Sequence, residues 1–187
     1  MSATELAPPT DEDLVPRLAA RDEAAVALLL ERWWARAYRL AHQLTGDPAT
    51  ADDAAQEAFV HALRAAGGFD PARGPFAPWF LRIVRNAAFN LSRARARRAG
   101  HEAAAARPEV APDDPAARAA ERADAEGLRQ HLAALRPPYR EAVALHVVEG
   151  LTFQEVAQVL GCPLGTVASR VRRGLEALRA RAVGASL

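Results

Sequence analysis

Apolar side chains recur at helical spacing along most of the chain, without the strict apolar–polar alternation of β-strands. Val167, Val171 and Leu175, for example, follow one another at four-residue intervals and predict one buried helix face. The pattern predicts an all-α protein with helices near 14–18, 22–44, 47–66, 79–98, 125–135, 138–149, 152–160 and 164–182. Between two of these helices, GGFDPARGPFAP (67–78) carries three glycines and three prolines, so we expect it to be irregular.

The distribution of charge divides the chain into blocks. The 187 residues carry a net charge of only +1, but residues 1–25 and 99–127 each have a net charge of −4, whereas 26–98 and 128–187 have +5 and +4. Two basic blocks on either side of an acidic, alanine- and proline-rich stretch indicate two nucleic-acid-facing domains joined by a flexible linker. We therefore predict small helical domains at 14–98 and 124–187, a disordered tail at 1–13 and a linker at 99–123.

The C-terminal domain contains a window that is typical of a helix-turn-helix. Ala157, Gly161 and Val167 fall four and then six residues apart, which suits a small residue at a helix crossing, a glycine turn and an apolar anchor. Thr152 and Glu155 form a T-x-x-E pair, which predicts a capping box. The alternative is a short helical hairpin whose arginines form a solvated face.

The exposed face of the second predicted helix of this motif carries a small hydroxyl and several guanidinium groups: Ser169, Arg172, Arg173 and Arg179, with Glu176 among them. Such donors and acceptors suit the base-pair edges in a DNA major groove. The C-terminal domain is therefore predicted to bind duplex DNA.

A second region, 67–98, combines aromatic rings, amide groups and arginines. The loop carries Phe69, Asp70, Arg73 and Phe76, and the helix behind it carries Trp79, Arg82, Arg85, Asn86, Phe89, Asn90 and Arg93. Bases that leave a duplex need aromatic faces, amide groups for their edges and cations along the backbone. The alternative is that the rings are core, which we prefer for Phe80 and Ile83, whereas Trp79 suits either purpose.

Catalysis and metal binding are not predicted. Asp52, Asp53 and Glu57 have no histidine at a matching helical spacing, and no nucleophile with its base can be assembled from the sequence. This acidic face is better interpreted as a docking surface. Cys162 is the only cysteine, which excludes an intrachain disulfide. We expect no cofactor, no metal ion and no small-molecule substrate.

The chain also lacks signals for secretion or membrane insertion. Its N-terminus has neither the basic start nor the apolar core of a signal peptide. The longest apolar run, 24–30, is too short to span a bilayer. We therefore expect a cytoplasmic protein with no direct membrane insertion.

Three segments, in this order, resemble an extracytoplasmic-function sigma factor, the compact (group IV) class of bacterial RNA polymerase sigma factor. LTGDPATADDAAQEAFVHAL (44–63) is similar to the segment with which members bind the clamp helices of RNA polymerase. FDPARGPFAPWFLRIVRNAAFNLSRARARR (69–98) looks like the region that recognises and melts the −10 element. LAALRPPYREAVALHVVEGLTFQEVAQVLGCPLGTVASRVRRGLEALR (132–179) is similar to the −35-binding domain.

The resemblance implies a non-enzymatic factor that directs core RNA polymerase to a promoter class by recognising −10 and −35 elements. It assigns polymerase binding to Asp52, Asp53, Gln56 and Glu57. It assigns binding of −10 DNA to Phe69, Arg73, Phe76, Trp79, Arg82, Arg85, Asn86 and Arg93. It assigns binding of −35 DNA to Thr166, Ser169, Arg170, Arg172 and Arg173. The implied partners are core RNA polymerase, promoter DNA and an anti-sigma factor, with the acidic linker near the active-site channel of the polymerase.

The chain departs from the family pattern at two positions. Ala168 stands where members often have Lys or Arg, and Asn90 stands where many have Asp, so the −35 and −10 preferences are both open. The sequence leaves two other functions open. One is a stand-alone helix-turn-helix regulator that binds duplex operators, and the other is a sigma-like decoy that sequesters an anti-sigma factor.

Overall fold

A computed structural model describes residues 8–102, 127 and 130–184. Over these residues all regular structure is helical, which confirms the all-α prediction. The helices are α1 (Asp11–Ala19), α2 (Glu23–Thr45), α3 (Pro48–Ala65), α4 (Phe76–Glu102), α5 (Pro137–Val143), α6 (Phe153–Leu160) and α7 (Leu164–Gly184). Residues 130–133 are also helical. Two 3-10 turns, Ala66–Gly68 and Pro71–Arg73, precede α4, and a π-helical turn, Ala144–Val148, follows α5.

α1 begins inside the segment predicted as a disordered tail. The Asp13 N–H donates to Thr10 Oγ1 at 3.2 Å, and the Thr10 N–H donates to Asp13 Oδ2 at 2.9 Å. This reciprocal capping box satisfies two backbone donors at the helix start, so the predicted tail is wrong for residues 11–13. The first part of that tail, 1–7, lies outside the described residues.

The turn between α2 and α3 follows the sequence signals. Gly46 closes α2 with φ 71°, a left-handed conformation in which glycine has no side chain to strain. Asp47 then caps α3 and Pro48 takes its first position. Both helix ends therefore fall where the sequence predicts them.

Aromatic rings from α2, α3 and α4 fill the core of the N-terminal domain. Trp33 of α2 lies edge-on to Phe76 and Phe80 of α4, with ring centroids 5.1 and 5.6 Å apart. Phe59 of α3 lies 4.9 Å from Phe80. Buried alanines on α2 and α3 let the helices approach closely around these rings.

α4 is longer at both ends than the helix predicted at 79–98. It begins at Phe76, because Pro78 falls in the first turn, where its missing N–H leaves no helical hydrogen bond unmade. The segment predicted as irregular is thus partly helical. At its other end α4 continues to Glu102, so 99–102 are not linker. The rest of the predicted linker, from 103, and the predicted domain start at 124 lie outside the described residues.

In the C-terminal domain, the predicted helix at 138–149 is α5 followed by the π-helical turn. α6 and α7 start and end within two residues of their predicted bounds. The capping box of α6 is confirmed, since the Glu155 N–H donates to Thr152 Oγ1 at 3.3 Å and the Thr152 N–H donates to Glu155 Oε2 at 2.7 Å. Gly161 closes α6 with φ 64°, as the turn of the motif requires.

The two domains pack directly against each other. Leu145, Val156 and Val159 belong to the same buried cluster as the aromatic core of the N-terminal domain. α6 lies against α4, and α5 lies against α2. The predicted pair of helical domains is therefore present as one continuous body, closed by apolar contacts.

Ion pairs reinforce this domain interface. The Glu149 side chain is fully buried and accepts from Arg36 Nε at 3.0 Å and Arg39 Nε at 3.0 Å. The Glu149 carbonyl accepts a further hydrogen bond from Arg36 Nη2 at 2.9 Å. A second carboxylate, Glu141, accepts from Arg85 Nε and Nη2 at 2.9 and 2.8 Å. Arginines of α2 and α4 thus hold acidic residues of the C-terminal domain.

Candidate nucleic-acid interface

The acidic residues of α3 lie on its outward side, as the docking prediction requires. Asp53 and Gln56 are exposed, and Asp52 and Glu57 are half-buried. Gln56 Nε2 donates to Asp52 Oδ2 at 2.6 Å, one helical turn away. The opposite side of α3 is alanine-rich and buried. These four residues therefore form a polar patch on the outward side of the helix, and the exposed Val60 follows one turn further on.

The start of α3 is tied to the arginine-rich end of α4. Asp47 accepts hydrogen bonds from the Thr50 N–H at 2.8 Å and the Thr50 hydroxyl at 2.5 Å, and it forms an ion pair with Arg95. These hydrogen bonds from Thr50, aided by the positive charge of Arg95, hold the pKa of Asp47 below its ordinary value. Arg95 is thereby engaged within the protein.

The loop before α4 and the first turns of that helix enclose a cleft of about 300 Å³. Phe69 and Trp79 form an aromatic pair on its wall, with ring centroids 5.1 Å apart. Arg73 and Arg82 line it as well, and both are exposed. Two half-buried rings beside two cations give the cleft the components that bind an unstacked base and its phosphate.

The structure corrects the assignment of Phe76 to DNA. Its ring is fully buried, stacked on Phe80 at 5.4 Å and in contact with Phe69 at 6.2 Å. Phe76 therefore supports the cleft from below instead of facing a base. The sequence did not separate these roles, because Phe69 and Phe76 stand in the same glycine- and proline-rich stretch.

The remaining predicted −10 residues are spread along α4. Asn86 and Arg93 are exposed and do not line the cleft. Arg85 is half-buried, pairs with Glu141 and stacks on the Phe89 ring at 4.9 Å. We call this packing of the two domains against each other the closed arrangement. In it, the Arg85 guanidinium is paired with a residue of the C-terminal domain. Only part of the predicted set is brought together at the cleft.

The helix-turn-helix presents most of its predicted residues to solvent. Arg172 and Arg173 are exposed on α7, opposite the buried Val167 and Val171. The Arg172 Nε lies 4.0 Å from Glu176, a weak exposed pair. A basic helix face is therefore accessible as the motif predicts.

The first turns of α7 are more enclosed. Thr166, Ser169 and Arg170 are half-buried. The Ser169 hydroxyl donates to the Thr166 carbonyl at 2.9 Å, and Arg170 Nη1 lies 3.9 Å from Cys162 Sγ. Arg170 thus packs along the turn of the motif, whereas Arg172 and Arg173 project from it.

Several functional neighbours were missed by sequence reasoning. Gln158 of α6 lines the cleft and approaches Gly74 of the loop. Glu141 and Glu149 bind arginines more than fifty residues away in the chain. Glu12 of α1 accepts a hydrogen bond from the Phe76 N–H at 2.8 Å. Nothing in the local sequence pattern signals such long-range contacts.

Two general features concern the described part of the chain only. None of its helices combines the length and apolarity needed to cross a bilayer. Its histidine, cysteine and acidic side chains form no group of three suited to a metal ion.

Comparison with protein families agrees with this arrangement. Residues 29–98 match the sequence model described as "Sigma-70 region 2", and residues 125–178 match "Sigma-70, region 4". The RNA polymerase sigma-H factor of Pseudomonas aeruginosa is 35% identical over 90% of this chain and 91% of its own length. The ECF RNA polymerase sigma factor SigE of Mycolicibacterium smegmatis is 35% identical over 77% of this chain, which spans 56% of that relative's length.

Solved structures show the same fold. CnrH, determined in complex with the cytosolic domain of CnrY, is 26% identical with a TM-score of 0.70, over 93% of this chain and 97% of CnrH. The sigma factor RpoE in a complex with the anti-sigma factor NepR from Bartonella quintana has a TM-score of 0.67 over 82% of this chain and 94% of RpoE. Its identity of 22% supports the fold alone.

The structure presents a basic helix-turn-helix and an aromatic cleft, and the sequence matches the two sigma-70 regions in N-to-C-terminal order. An RNA polymerase sigma factor is also 35% identical over 90% of this chain. The resemblance seen in the sequence is therefore confirmed. The chain belongs to the extracytoplasmic-function (ECF) sigma factors, DNA-binding regulatory proteins that recognise promoters and initiate transcription with RNA polymerase.

Proposed function

We propose that this chain binds core RNA polymerase through α3 and positions two separate surfaces on a promoter, the aromatic cleft on the −10 element and α7 on the −35 element. The observation that carries the proposal is the presence of the cleft and the exposed basic helix on one chain with an outward acidic face. A stand-alone duplex-binding regulator would leave the cleft and α3 without a purpose.

On α3, the proposed polymerase contacts are the four polar residues of the outward face: Asp52, Asp53, Gln56 and Glu57. Support comes from their common side and from the buried alanine surface behind them. Because the face is polar, binding depends on charge and hydrogen-bond complementarity. We expect it to weaken as salt concentration rises.

At the −10 element, an extruded base enters the cleft between the loop and α4. Phe69 and Trp79 offer ring faces for stacking, and Arg73 and Arg82 offer charge to the strand backbone. Asn86 and Arg93, further along α4, contact the strand outside the cleft. Opening a base step costs a few kcal/mol, which polymerase contacts and the second domain help to offset.

At the −35 element, α7 lies in the major groove. Arg172 and Arg173 reach base edges or phosphates, because they are exposed and project from the helix. Thr166, Ser169 and Arg170 line the start of the helix, with Arg170 held closer to the turn. Ala168 supplies no cation on this face, which favours a −35 preference different from that of members with Lys or Arg there.

Engaging the −10 and −35 elements together requires the closed arrangement to open. Gln158 lies over the loop, and Glu141 occupies Arg85. An extended promoter complex that engages both elements must therefore exchange these contacts for contacts with polymerase and DNA. Arg85 becomes available to the −10 strand only after that exchange.

The remaining proposals concern regulation and location. An anti-sigma factor is proposed as a partner, supported by membership of the ECF sigma factors. We further propose a cytoplasmic, non-enzymatic protein that needs no cofactor. Its chemistry is binding alone, whereas RNA synthesis belongs to the polymerase.

Run-off transcription with purified chain and core polymerase on genomic fragments, followed by start-site mapping, tests the proposed function. We expect discrete start sites that disappear when the chain is omitted. Substitution of Asp53 and Gln56 by alanine should lower the affinity for core polymerase. Substitution of the exposed Arg64 on the same helix by alanine is the control and should leave that affinity unchanged. Tight duplex binding without polymerase, together with no core binding, would instead identify a stand-alone regulator.

A further inference from the structure

The helix that forms one wall of the cleft has no cap in its adjacent sequence. α4 starts at Phe76, directly after Gly74 and Pro75, neither of which carries a side-chain acceptor. The Phe76 N–H donates instead to Glu12 Oε1 at 2.8 Å, across 64 residues of sequence. A carboxylate at this position satisfies an unpaired backbone donor and interacts favourably with the positive end of the helix dipole.

Glu12 is held in place by the neighbouring residue of α1. Asp11 accepts from Arg32 Nη1 at 3.0 Å and from Trp33 Nε1 at 2.9 Å, so α1 is fixed to α2 beside the cap. The apolar side of α1 is buried against the same core. Glu12 therefore approaches α4 from a rigid support.

The residue that Glu12 caps supports the aromatic wall. The Phe76 ring contacts Trp79 at 5.5 Å and Phe69 at 6.2 Å, and these two rings line the cleft. Trp33, the ring bound by Asp11, contacts Phe76 from the other side at 5.1 Å. A shift in the first turn of α4 would thus be passed to both rings that are proposed to hold the base.

We propose that Glu12 is a positioning residue for −10 base capture. By capping α4 from α1, it fixes the first turn of that helix so that Phe69 and Trp79 stand ready for an extruded base. This role rests on the proposed function of the cleft. It assigns to the N-terminal helix a part in promoter recognition, although α1 itself lines no part of the cleft.

The test uses the full chain assembled with core polymerase. The probe is a fluorescent single-stranded oligonucleotide with the non-template −10 sequence of a promoter mapped by run-off transcription. A second probe lacks the captured base, and the loss of affinity that this abasic site causes is called the abasic penalty. With Glu12→Ala we expect a loss of affinity for the intact probe of about threefold to thirtyfold, the range for a lost helix cap, and a smaller abasic penalty. Glu12→Gln keeps an acceptor oxygen and should retain most of both.

Two further measurements separate positioning from general stability. Hydrogen exchange of the Phe76 amide should accelerate in Glu12→Ala and stay slow in Glu12→Gln. If the alanine variant fails to fold, Glu12→Asp replaces it and should also show faster exchange. Asp13→Ala is the control, because it breaks the capping box of α1 but leaves the hydrogen bond from Phe76 to Glu12 in place. The abasic penalty and the affinity for core polymerase should therefore be retained.

Unchanged probe affinity and abasic penalty in Glu12→Ala would overturn the proposal, as would an equal loss in Asp13→Ala. A wild-type complex with no abasic penalty would refute the cleft's proposed function, and the positioning role with it. The Phe76 exchange data would then still show whether Glu12 caps α4.

Discussion

The two surfaces proposed to meet DNA differ in what covers them. On α7, Arg172 and Arg173 project into solvent from a helix anchored by buried valines. On the −10 surface, Gln158 of the other domain lines the cleft, and Glu141 pairs with Arg85 further along α4. The duplex-facing surface is therefore accessible in the closed chain, whereas the single-strand surface is partly engaged.

This difference separates two steps of promoter recognition. A surface that is already exposed can bind duplex DNA without rearrangement, but a covered one first requires the loss of domain contacts. The apparent affinity of the cleft is then reduced by the fraction of molecules that are open.

The largest effect is expected from removing both arginines that bind Glu149. Arg36→Ala with Arg39→Ala leaves a fully buried carboxylate without a partner, which costs about 3–5 kcal/mol for a buried pair. We expect the lower part of this range, because the arginines are 31% and 44% exposed. Since domain opening hydrates Glu149, the cost should appear as opening, measured as a larger radius of gyration in small-angle X-ray scattering.

Arg64→Ala is the matched control, because Arg64 is exposed on α3 and forms no part of the ion pairs at the domain interface. Its scattering should match that of the wild-type chain. If the double variant also matched the wild type, Glu149 would not hold the domains together, and the contrast between covered and open surfaces would need another cause.

On the exposed surface, Arg173→Ala should weaken binding to a −35 duplex by about 1–3 kcal/mol if the guanidinium reads a base. Affinity for a single-stranded −10 probe should not change. Because Arg173 is exposed even when the two domains are packed together, the loss should be equal in the Arg36→Ala, Arg39→Ala background. Fluorescence anisotropy of the holoenzyme on both probes measures this, and an unchanged −35 affinity would reject the role of Arg173.

The stability of the −35 domain depends on a close helix crossing at Gly174. A Cβ added there would lie 2.5 Å from Val143 Cγ2, so Gly174→Ala should destabilise the fold by about 1–3 kcal/mol through overpacking. Gly165→Ala, in the same helix, meets nothing within 4 Å and should be neutral or slightly stabilising. Chemical denaturation compares the two variants, and equal stabilities would contradict the crossing.

The predictability of the two surfaces differs for the same physical reason. The helix-turn-helix was predicted closely because its determinants are local: the Thr152–Glu155 capping box, the left-handed Gly161 and the apolar spacing that buries Val167 and Val171. Each of these signals acts within one or two helical turns. Gly174 is the exception, since its reason is a partner helix that the pattern does not reveal.

The cleft was predicted only in part because its determinants are distant. Sequence composition placed Phe69 and Phe76 together, but burial against Trp33 assigns Phe76 to the core. Likewise, the pairing of Arg85 with Glu141 depends on how two domains meet. A residue pattern records which chemistry is present, whereas tertiary packing decides which groups remain free for DNA.

The smallest effect concerns the junction of the polymerase-facing helix with α4. Because hydrogen bonds from Thr50 and the charge of Arg95 lower the pKa of Asp47 in the folded protein, its stabilising contribution is complete above the ordinary pKa of 3.8 and declines as pH falls toward the folded value. Asp47→Asn keeps a capping oxygen but loses the ion pair, so at neutral pH we expect a cost of about 0.2–1 kcal/mol, typical of an exposed pair. Denaturant titrations between about pH 5 and pH 3 should show a shallower loss of stability in the variant than in the wild type. An equal slope would mean that neither the Thr50 hydrogen bonds nor the Arg95 charge stabilises the Asp47 carboxylate in the folded protein.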